Sequence, residues 1–216
     1  MLTPMSVPMT IEGRAILFRN QRHPGWTHPY PYLGGETLHT SGCGVFALCH
    51  CLQWLTGQVW PPEDIADLSV ACGGRGDDGT DRPGLLSGLE RIGMAERMGF
   101  AWLGGGLEND LPRLYAFLRE EQGVAMANIR PGHIVALLAA RETAGARELL
   151  VIDSFSESGD PRVKPQVASL VPGTCTFFDL PTPEVEPSLC MEGHAAYWVG
   201  ADCPRDYTLL HRIQGS

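Results

Sequence analysis

The sequence of 216 residues contains no run of about 18 consecutive apolar residues and no excess of basic residues. It has 16 Lys and Arg against 25 Asp and Glu, which gives a formal net charge of -9. We therefore expect no membrane span, and no nucleic-acid partner because phosphates are bound by a basic face. With 44% apolar and 19% charged residues, the composition predicts one globular domain over residues 1–216.

A secretory leader is also lacking, since the first nine residues include no basic segment followed by an apolar one. The start of the sequence therefore predicts a cytoplasmic protein. Cysteines are few and odd in number, seven in all, so a disulfide framework would leave one of them unpaired. We expect reduced thiols, most of them packed as small apolar side chains and one of them chemically special.

Helices are predicted where apolar residues recur at helical spacing between proline or glycine residues. Their ranges are 44–56, 61–71, 83–92 and 109–122. Short apolar runs predict strands at 15–18, 124–129, 133–140, 148–153, 174–180 and 195–201. Because helices mostly precede strands, we expect an α+β fold with N-terminal helices packed on a C-terminal antiparallel sheet.

Two glycines flank Cys43 at the predicted start of the first long helix. Free backbone N–H groups and the positive end of the helix dipole stabilise a thiolate there and lower the pKa of a cysteine. The glycines also leave space for a substrate backbone. A buried structural cysteine is the alternative, because Gly-Cys-Gly alone is a weak pattern and a nucleophilic thiol also needs a base.

His133 and Asp153 are placed to supply that base and its orienting acid. His133 opens one apolar strand, and Asp153 closes the next. If these strands are neighbours, the start of one meets the end of the other at the same sheet edge. Asp153 can then accept a hydrogen bond from one ring N–H of His133, while the second ring nitrogen faces Cys43.

The order of Gly-Cys-Gly, Gly-His at a strand start and Asp at the following strand end resembles papain-like cysteine peptidases. The nearest resemblance is to the bacterial domains that process bacteriocin leader peptides after a double glycine, and to their stand-alone relatives. Gln21 and Trp26 are similar to that group's Gln-x-x-x-x-Trp segment. Residues 61–66 resemble its second-helix start, and residues 79–81 resemble its Gly-Thr segment.

The resemblance covers about residues 15–155 and implies a papain-like fold, with residues 156–216 completing the sheet through long loops. It implies a catalytic triad of Cys43, His133 and Asp153 and requires no metal or organic cofactor. The group often has a Gln about six residues before its Cys, where this chain has Thr37. Gln21 is the upstream Gln that matches, and the resemblance makes it the candidate side chain for stabilising an oxyanion. The Asp is often followed by Pro, where this chain has Ser154.

A second Gly-His pair ends at His194 and is the rival for the base, with Asp202 or Asp206 as its orienting acid. We favour His133, because the resembling group has its acid about twenty positions after the His, and Asp202 and Asp206 lie too close to His194 in the sequence. We interpret His39, His50 and His211 as surface or capping residues.

Two metal sites are suggested by the sequence, and neither is favoured. Cys49 and Cys51 near Cys43 suggest zinc, but two helical residues two positions apart cannot share one face. The aspartates at positions 77, 78 and 81 suggest calcium, but the EF-hand spacing is absent and a solvated loop is the better interpretation.

The sequence therefore predicts a cysteine peptidase or amidohydrolase that acts on a peptide or amide substrate through an acyl-enzyme. An acyl- or peptidyl-transferase would use the same triad with a different acceptor. A binding module that keeps the fold without catalysis is the third possibility. The identity of the substrate and the oligomeric state stay open.

Overall fold

The structure is a computed structural model that describes residues 5–77, 79–107, 110–121, 123–130, 133–154, 196–201 and 204–213. Within these ranges the helices are α1 Leu38–Ser41, α2 Cys43–Thr56, α3 Pro62–Cys72, α4 Arg82–Arg91, α5 Met94–Arg97 and α6 Leu111–Glu120. The strands there are β1 Ser6–Ile11, β2 Arg14–Arg19, β3 Arg75–Gly76, β4 Gly79–Thr80, β5 Phe100–Leu107, β6 Val124–Arg130, β7 His133–Thr143, β8 Ala146–Ile152, β9 Ala196–Gly200 and β10 Asp206–Arg212.

Among the described residues, the main sheet has six strands in the order β5-β10-β6-β7-β8-β9. Every neighbouring pair in it is antiparallel. Two further antiparallel hairpins, β1–β2 and β3–β4, lie outside this sheet. The combination of helices with an antiparallel sheet confirms the predicted α+β class.

Both faces of the sheet are covered by apolar side chains and helices. Because alternate residues of a strand point to opposite sides, one strand contributes to both clusters. Val124 and Met126 of β6 belong to the larger apolar cluster, which includes the buried face of α2. Ala125 and Ala127 belong to a second cluster that includes the buried face of α6. The expectation that helices pack on the sheet is therefore met on two faces, with α2 and α6 on opposite sides of β6.

The long helices begin and end where proline and glycine predict. Pro62 is the first residue of α3, and Glu63 and Asp64 follow it in the first turn, where carboxylates stabilise the positive end of the dipole. Gly57 and Gly73 follow α2 and α3 with φ of 77° and 81°, a left-handed conformation that favours glycine.

Several predicted boundaries of helices were wrong, and so was the prediction that helices mostly precede strands along the chain. α2 starts at Cys43 and not at residue 44, and α4 spans Arg82–Arg91 instead of 83–92. The strands β1, β3, β4, β5 and β10 and the short helices α1 and α5 were not predicted, so strands precede and interrupt the helices more than expected. The strand expected at 174–180 lies outside the described residues.

The register of β7 and β8 brings the start of one strand beside the end of the other. Ala136 of β7 pairs with Ile152 of β8 in the antiparallel ladder. His133, the first residue of β7, and Asp153, directly after β8, therefore lie at the same sheet edge. α2 packs against β7 and brings its own first residue, Cys43, to this edge.

Among the helices of the described ranges, none combines the length and the apolar character needed to cross a membrane.

Candidate active site

Cys43 is the first residue of a 14-residue helix that follows the short helix α1 after a single residue, Gly42. The N–H of Gly42 donates to Leu38 O, which ends α1, and the N–H of Phe46 donates to Gly42 O, which starts α2. The Cys43 side chain therefore lies at the N-terminus of a long helix, where unpaired N–H groups and the helix dipole stabilise a negative charge.

The two glycines beside Cys43 are required by packing within the protein. A Cβ on Gly44 would lie 2.4 Å from Thr80 Cβ, and one on Gly42 would lie 2.5 Å from Leu38 O. Side chains at either position would displace β4 or α1. The expectation that these glycines leave space for a substrate backbone was wrong, because Thr80 fills the space beside Gly44 and Leu38 fills the space beside Gly42.

His133 and Asp153 form a buried hydrogen-bonded pair. His133 Nε2 lies 2.7 Å from Asp153 Oδ1, and the two residues are 3% and 2% exposed. Burial acts to lower the pKa of His133, but the adjacent Asp153 carboxylate outweighs it, and a hydrogen bond with Cys43 adds to the effect. The result is a pKa raised to about 9.

Cys43 lies next to this pair as the third side chain of the group. Its thiol contacts the His133 ring, and because Nε2 of that ring faces Asp153, Nδ1 is the nitrogen left for sulfur. Burial acts to raise the pKa of Cys43, but the hydrogen bond and positive charge of His133 outweigh it. Hydrogen bonds from the backbone at Ile134 and Gly44 act in the same direction, so the pKa is lowered.

Gln21 is buried between α1 and the end of β8. Its backbone N–H donates to Ser154 O at 2.7 Å, and its side-chain Oε1 accepts from Ser154 Oγ at 3.3 Å. Its Nε2 lies 3.4 Å from His39 O in α1. This Gln is thus held next to the residue that follows Asp153, and its role as an oxyanion donor stays a prediction. Thr37, at the position where the resembling group has its Gln, directly precedes α1.

Cys43 opens into a cleft of about 630 Å³. One side is formed by the hairpin β3–β4 and the start of α4, and the other by β6 and β7. The lining residues are Cys43, Gly76, Asp77, Gly79, Thr80, Asp81, Arg82, Pro83, Asn128 and Ile134. Cys43 therefore borders a space large enough for a segment of peptide.

Sequence reasoning missed a polar cluster in this cleft. The Arg82 guanidinium forms an ion pair with Asp206 and donates to Met126 O at 2.8 Å. Asn128 Nδ2 lies 3.1 and 3.0 Å from the two carboxylate oxygens of Asp206. Arg82, Asn128 and Asp206 come from three separate parts of the chain, so no local motif could have revealed them.

The rival base His194 lies outside the described residues, as does Asp202. Asp206, the other acid considered for it, is the first residue of β10 and forms an ion pair with Arg82 of α4 instead. His50 is not a surface residue, and that interpretation was wrong. It is fully buried in α2, its Nε2 accepts from Arg19 N at 3.2 Å, and burial holds its pKa well below the usual value.

The neighbouring cysteines differ from Cys43 in the direction in which their pKa is shifted. Cys49 and Cys51 are free, fully buried thiols, and burial raises the pKa of both, to about 12 for Cys49. Cys72 is as little exposed as Cys43, at 7% against 8%, and burial raises its pKa too. Of the cysteines in the described part of the chain, Cys43 is the one whose pKa is lowered.

Comparison with protein-family models gives no match, and comparison with curated proteins finds no similar sequence.

Proposed function

We propose that this chain is a papain-like cysteine peptidase or amidohydrolase. The observation that carries the proposal is the position of Cys43, at the wall of the cleft, beside the buried hydrogen-bonded pair of His133 and Asp153. A thiol with a lowered pKa beside an imidazole with a raised pKa favours the thiolate–imidazolium pair at neutral pH. The contact between the Cys43 thiol and the His133 ring also favours an enzyme over a non-catalytic binding module, because a binding module does not need a thiolate–imidazolium pair.

In the first half of the reaction, Cys43 Sγ attacks the carbonyl carbon of the scissile bond, and the C=O electron pair moves to oxygen. The Cys43 N–H at the start of α2 and the Gln21 side-chain amide stabilise that oxyanion. The tetrahedral intermediate then collapses, the C–N bond breaks, and His133 Nδ1–H gives its proton to the leaving amine. A thioester on Cys43 and a neutral imidazole remain.

In the second half, a water molecule attacks the thioester carbon while His133 Nδ1 takes its proton. The C–S bond breaks, the carboxylic acid product leaves, and the thiolate–imidazolium pair is restored. Throughout the cycle, the Asp153 carboxylate accepts a hydrogen bond from His133 Nε2–H and stabilises the ring whenever the ring is positively charged.

Alkylation by iodoacetamide tests this function without knowledge of the substrate. Because Cys43 and Cys72 are about equally exposed, Cys72 is a matched control within the same molecule. At pH 6 we expect Cys43 to react at least about tenfold faster than Cys72, as followed by mass spectrometry of digested protein. His133→Ala should abolish the difference, because it removes the charge that stabilises the thiolate.

The proposal is wrong if Cys43 reacts no faster than Cys72 in the parent protein, or if His133→Ala leaves the ratio of rates unchanged. A panel of peptide substrates then tests catalysis itself. Cleavage that persists in Cys43→Ala would exclude Cys43 as the nucleophile.

A further inference from the structure

The hairpin β3–β4 forms one wall of the cleft although it is too small to be stable by itself. Each strand has two residues, and the ladder consists of Arg75 paired with Thr80 and Gly76 paired with Gly79. Gly76, Gly79 and Thr80 line the cleft beside Cys43. A two-stranded ribbon of this length needs support from side chains outside its ladder.

Arg75 supplies part of that support through three main-chain oxygens. Its Nε donates to Tyr30 O at 3.0 Å, and its Nη1 donates to Gly79 O at 2.8 Å and to Gly76 O. Two of these acceptors lie in the hairpin, and the third lies in the loop before α1. The guanidinium, in a residue only 8% exposed, therefore ties the two strands to each other and to that loop.

The loop carries two aromatic rings that pack on the same guanidinium. The Arg75 Cζ lies 4.9 Å from the centre of the Tyr30 ring and 5.8 Å from that of Tyr32. Such stacking favours the planar guanidinium of arginine over the ammonium of lysine. The orientation of the Arg75 guanidinium is therefore fixed both by stacking on the two rings and by its hydrogen bonds.

The other strand of the hairpin is anchored through Thr80. Its hydroxyl lies 2.9 Å from Tyr30 OH, which lies 2.8 Å from Ser69 Oγ in α3. Thr80 also packs on Gly44, the residue next to Cys43. A shift of the hairpin would therefore change the width of the cleft at the reactive sulfur, while the contacts among Cys43, His133 and Asp153 do not involve it.

We propose that Arg75 is a positioning residue that holds the β3–β4 wall in the conformation that binds an extended peptide next to Cys43. The inference rests on the proposed function, and it separates two properties of the site. The reactivity of Cys43 depends on His133, whereas the recognition of a peptide depends on the wall. Gly76 and Gly79 have no side chains, so a peptide main chain can approach this wall closely.

Two alkylating agents distinguish these properties. Iodoacetamide reports the reactivity of the thiol, and acetyl-Ala-Ala-Gly chloromethyl ketone reports reactivity together with peptide binding. For Arg75→Lys and Arg75→Gln we expect the second-order rate constant of the peptide reagent to fall by about tenfold or more relative to that of iodoacetamide. Arg91→Gln is the matched control, because Arg91 also donates to a main-chain oxygen, Cys72 O, but does not line the cleft.

Hydrogen–deuterium exchange of residues 74–81 gives a readout that needs no activity. We expect exchange of the hairpin amides to quicken by about tenfold in Arg75→Lys and to stay unchanged in Arg91→Gln. Arg75→Lys keeps the positive charge and the aliphatic part of the side chain, so it provides the test even if Arg75→Gln does not fold.

The inference is overturned if Arg75→Lys leaves hairpin exchange unchanged, or if exchange rises while the ratio of the two alkylation rates stays at the parent value. Failure of the proposed function gives a different result. In that case Cys43 of the parent reacts with iodoacetamide no faster than Cys72, and the exchange measurement still decides whether Arg75 holds the hairpin.

Discussion

His133 derives its properties from a carboxylate on one side and a thiol on the other. The Asp153 carboxylate raises the pKa of the ring to about 9 against the opposing effect of burial, so the imidazolium persists well above neutral pH. The Cys43 pKa is lowered by the same contact. We expect alkylation and any peptidase activity to be lost in acid, as the thiolate is protonated.

The raised pKa of His133 also predicts a pH dependence of stability. A group whose folded pKa lies above its unfolded value stabilises the fold below about 6.5 and loses that contribution as pH rises through about 9. In a Cys43→Ala protein, where the thiol does not contribute, the free energy of unfolding should decrease by up to about 2 kcal/mol between pH 6.5 and 9. Urea denaturation at a series of pH values measures this change.

Asp153→Asn in the Cys43→Ala protein is the control for that measurement. It removes the charge that raises the His133 pKa, so the decrease between pH 6.5 and 9 should disappear. An unchanged slope in the double variant would assign the pH dependence to another group.

Asp153→Asn and Asp153→Ala in the otherwise unchanged protein separate charge from orientation. Asn is nearly isosteric and can still hold the His133 ring, so alkylation of Cys43 at pH 6 should slow by about tenfold. Ala loses both effects and should slow it by about a hundredfold. Rates by mass spectrometry check the order, and equal rates in both variants and the parent would remove Asp153 from the site.

The local sequence around a histidine does not show whether it is buried with a partner or exposed. His133 stands out in the sequence because it opens an apolar strand, and the structure brings it together with Cys43 and Asp153. The sequence pattern favours a surface position for His50, yet this residue accepts a hydrogen bond from the backbone of Arg19 in the core. The partner of His50 lies 31 positions away in the chain, so no neighbouring residue reveals it.

The four long helices α2, α3, α4 and α6 were predictable because proline or glycine stands at or next to their ends. The strand β5 was not predicted, because its glycines weaken the pattern of a strand. Gly105 and Gly106 weaken any strand pattern, since glycine has low strand propensity. In the structure a Cβ at Gly105 would lie 2.3 Å from Tyr207 O, and one at Gly106 would lie 2.3 Å from Tyr207 OH. The glycines allow close approach of β10, which is a property of the assembled sheet and not of the segment.

Gly44→Ala tests the contact between α2 and β4. Its Cβ would lie 2.4 to 2.8 Å from three Thr80 atoms, so β4 has to move away from the helix. Alanine itself favours a helix, but we expect a net loss of about 1–3 kcal/mol in the free energy of unfolding, because overpacking outweighs that preference. Thermal or urea denaturation measures the loss.

Gly35→Ala is the matched control, because a Cβ added at Gly35 would meet no atom within 4 Å and the residue has no positive φ. It should change stability little. Thr80→Gly combined with Gly44→Ala should recover part of the loss, and a fully additive double variant would show that Thr80 is not the obstacle.

Across the whole molecule, the ion pair of Arg82 and Asp206 joins α4 to a strand 124 positions later. The Arg82 side chain is only 9% exposed, so loss of its partner leaves a buried charge. Asp206→Asn should lower the free energy of unfolding by about 2–4 kcal/mol. The double variant with Arg82→Met should be less destabilised than the sum of the single variants, as a urea double-mutant cycle would show. Strict additivity would contradict a coupled pair.

The contact between Gln21 and Ser154 spans 133 positions, and it sets an order of events in time. A ribosome completes Cys43 long before the strands that carry His133 and Asp153. On the proposed function, a chain still being translated therefore holds a thiol without its base. The thiol gains the contact that lowers its pKa only when β8 closes against the N-terminal segment, so the proposed activity belongs to the completed fold.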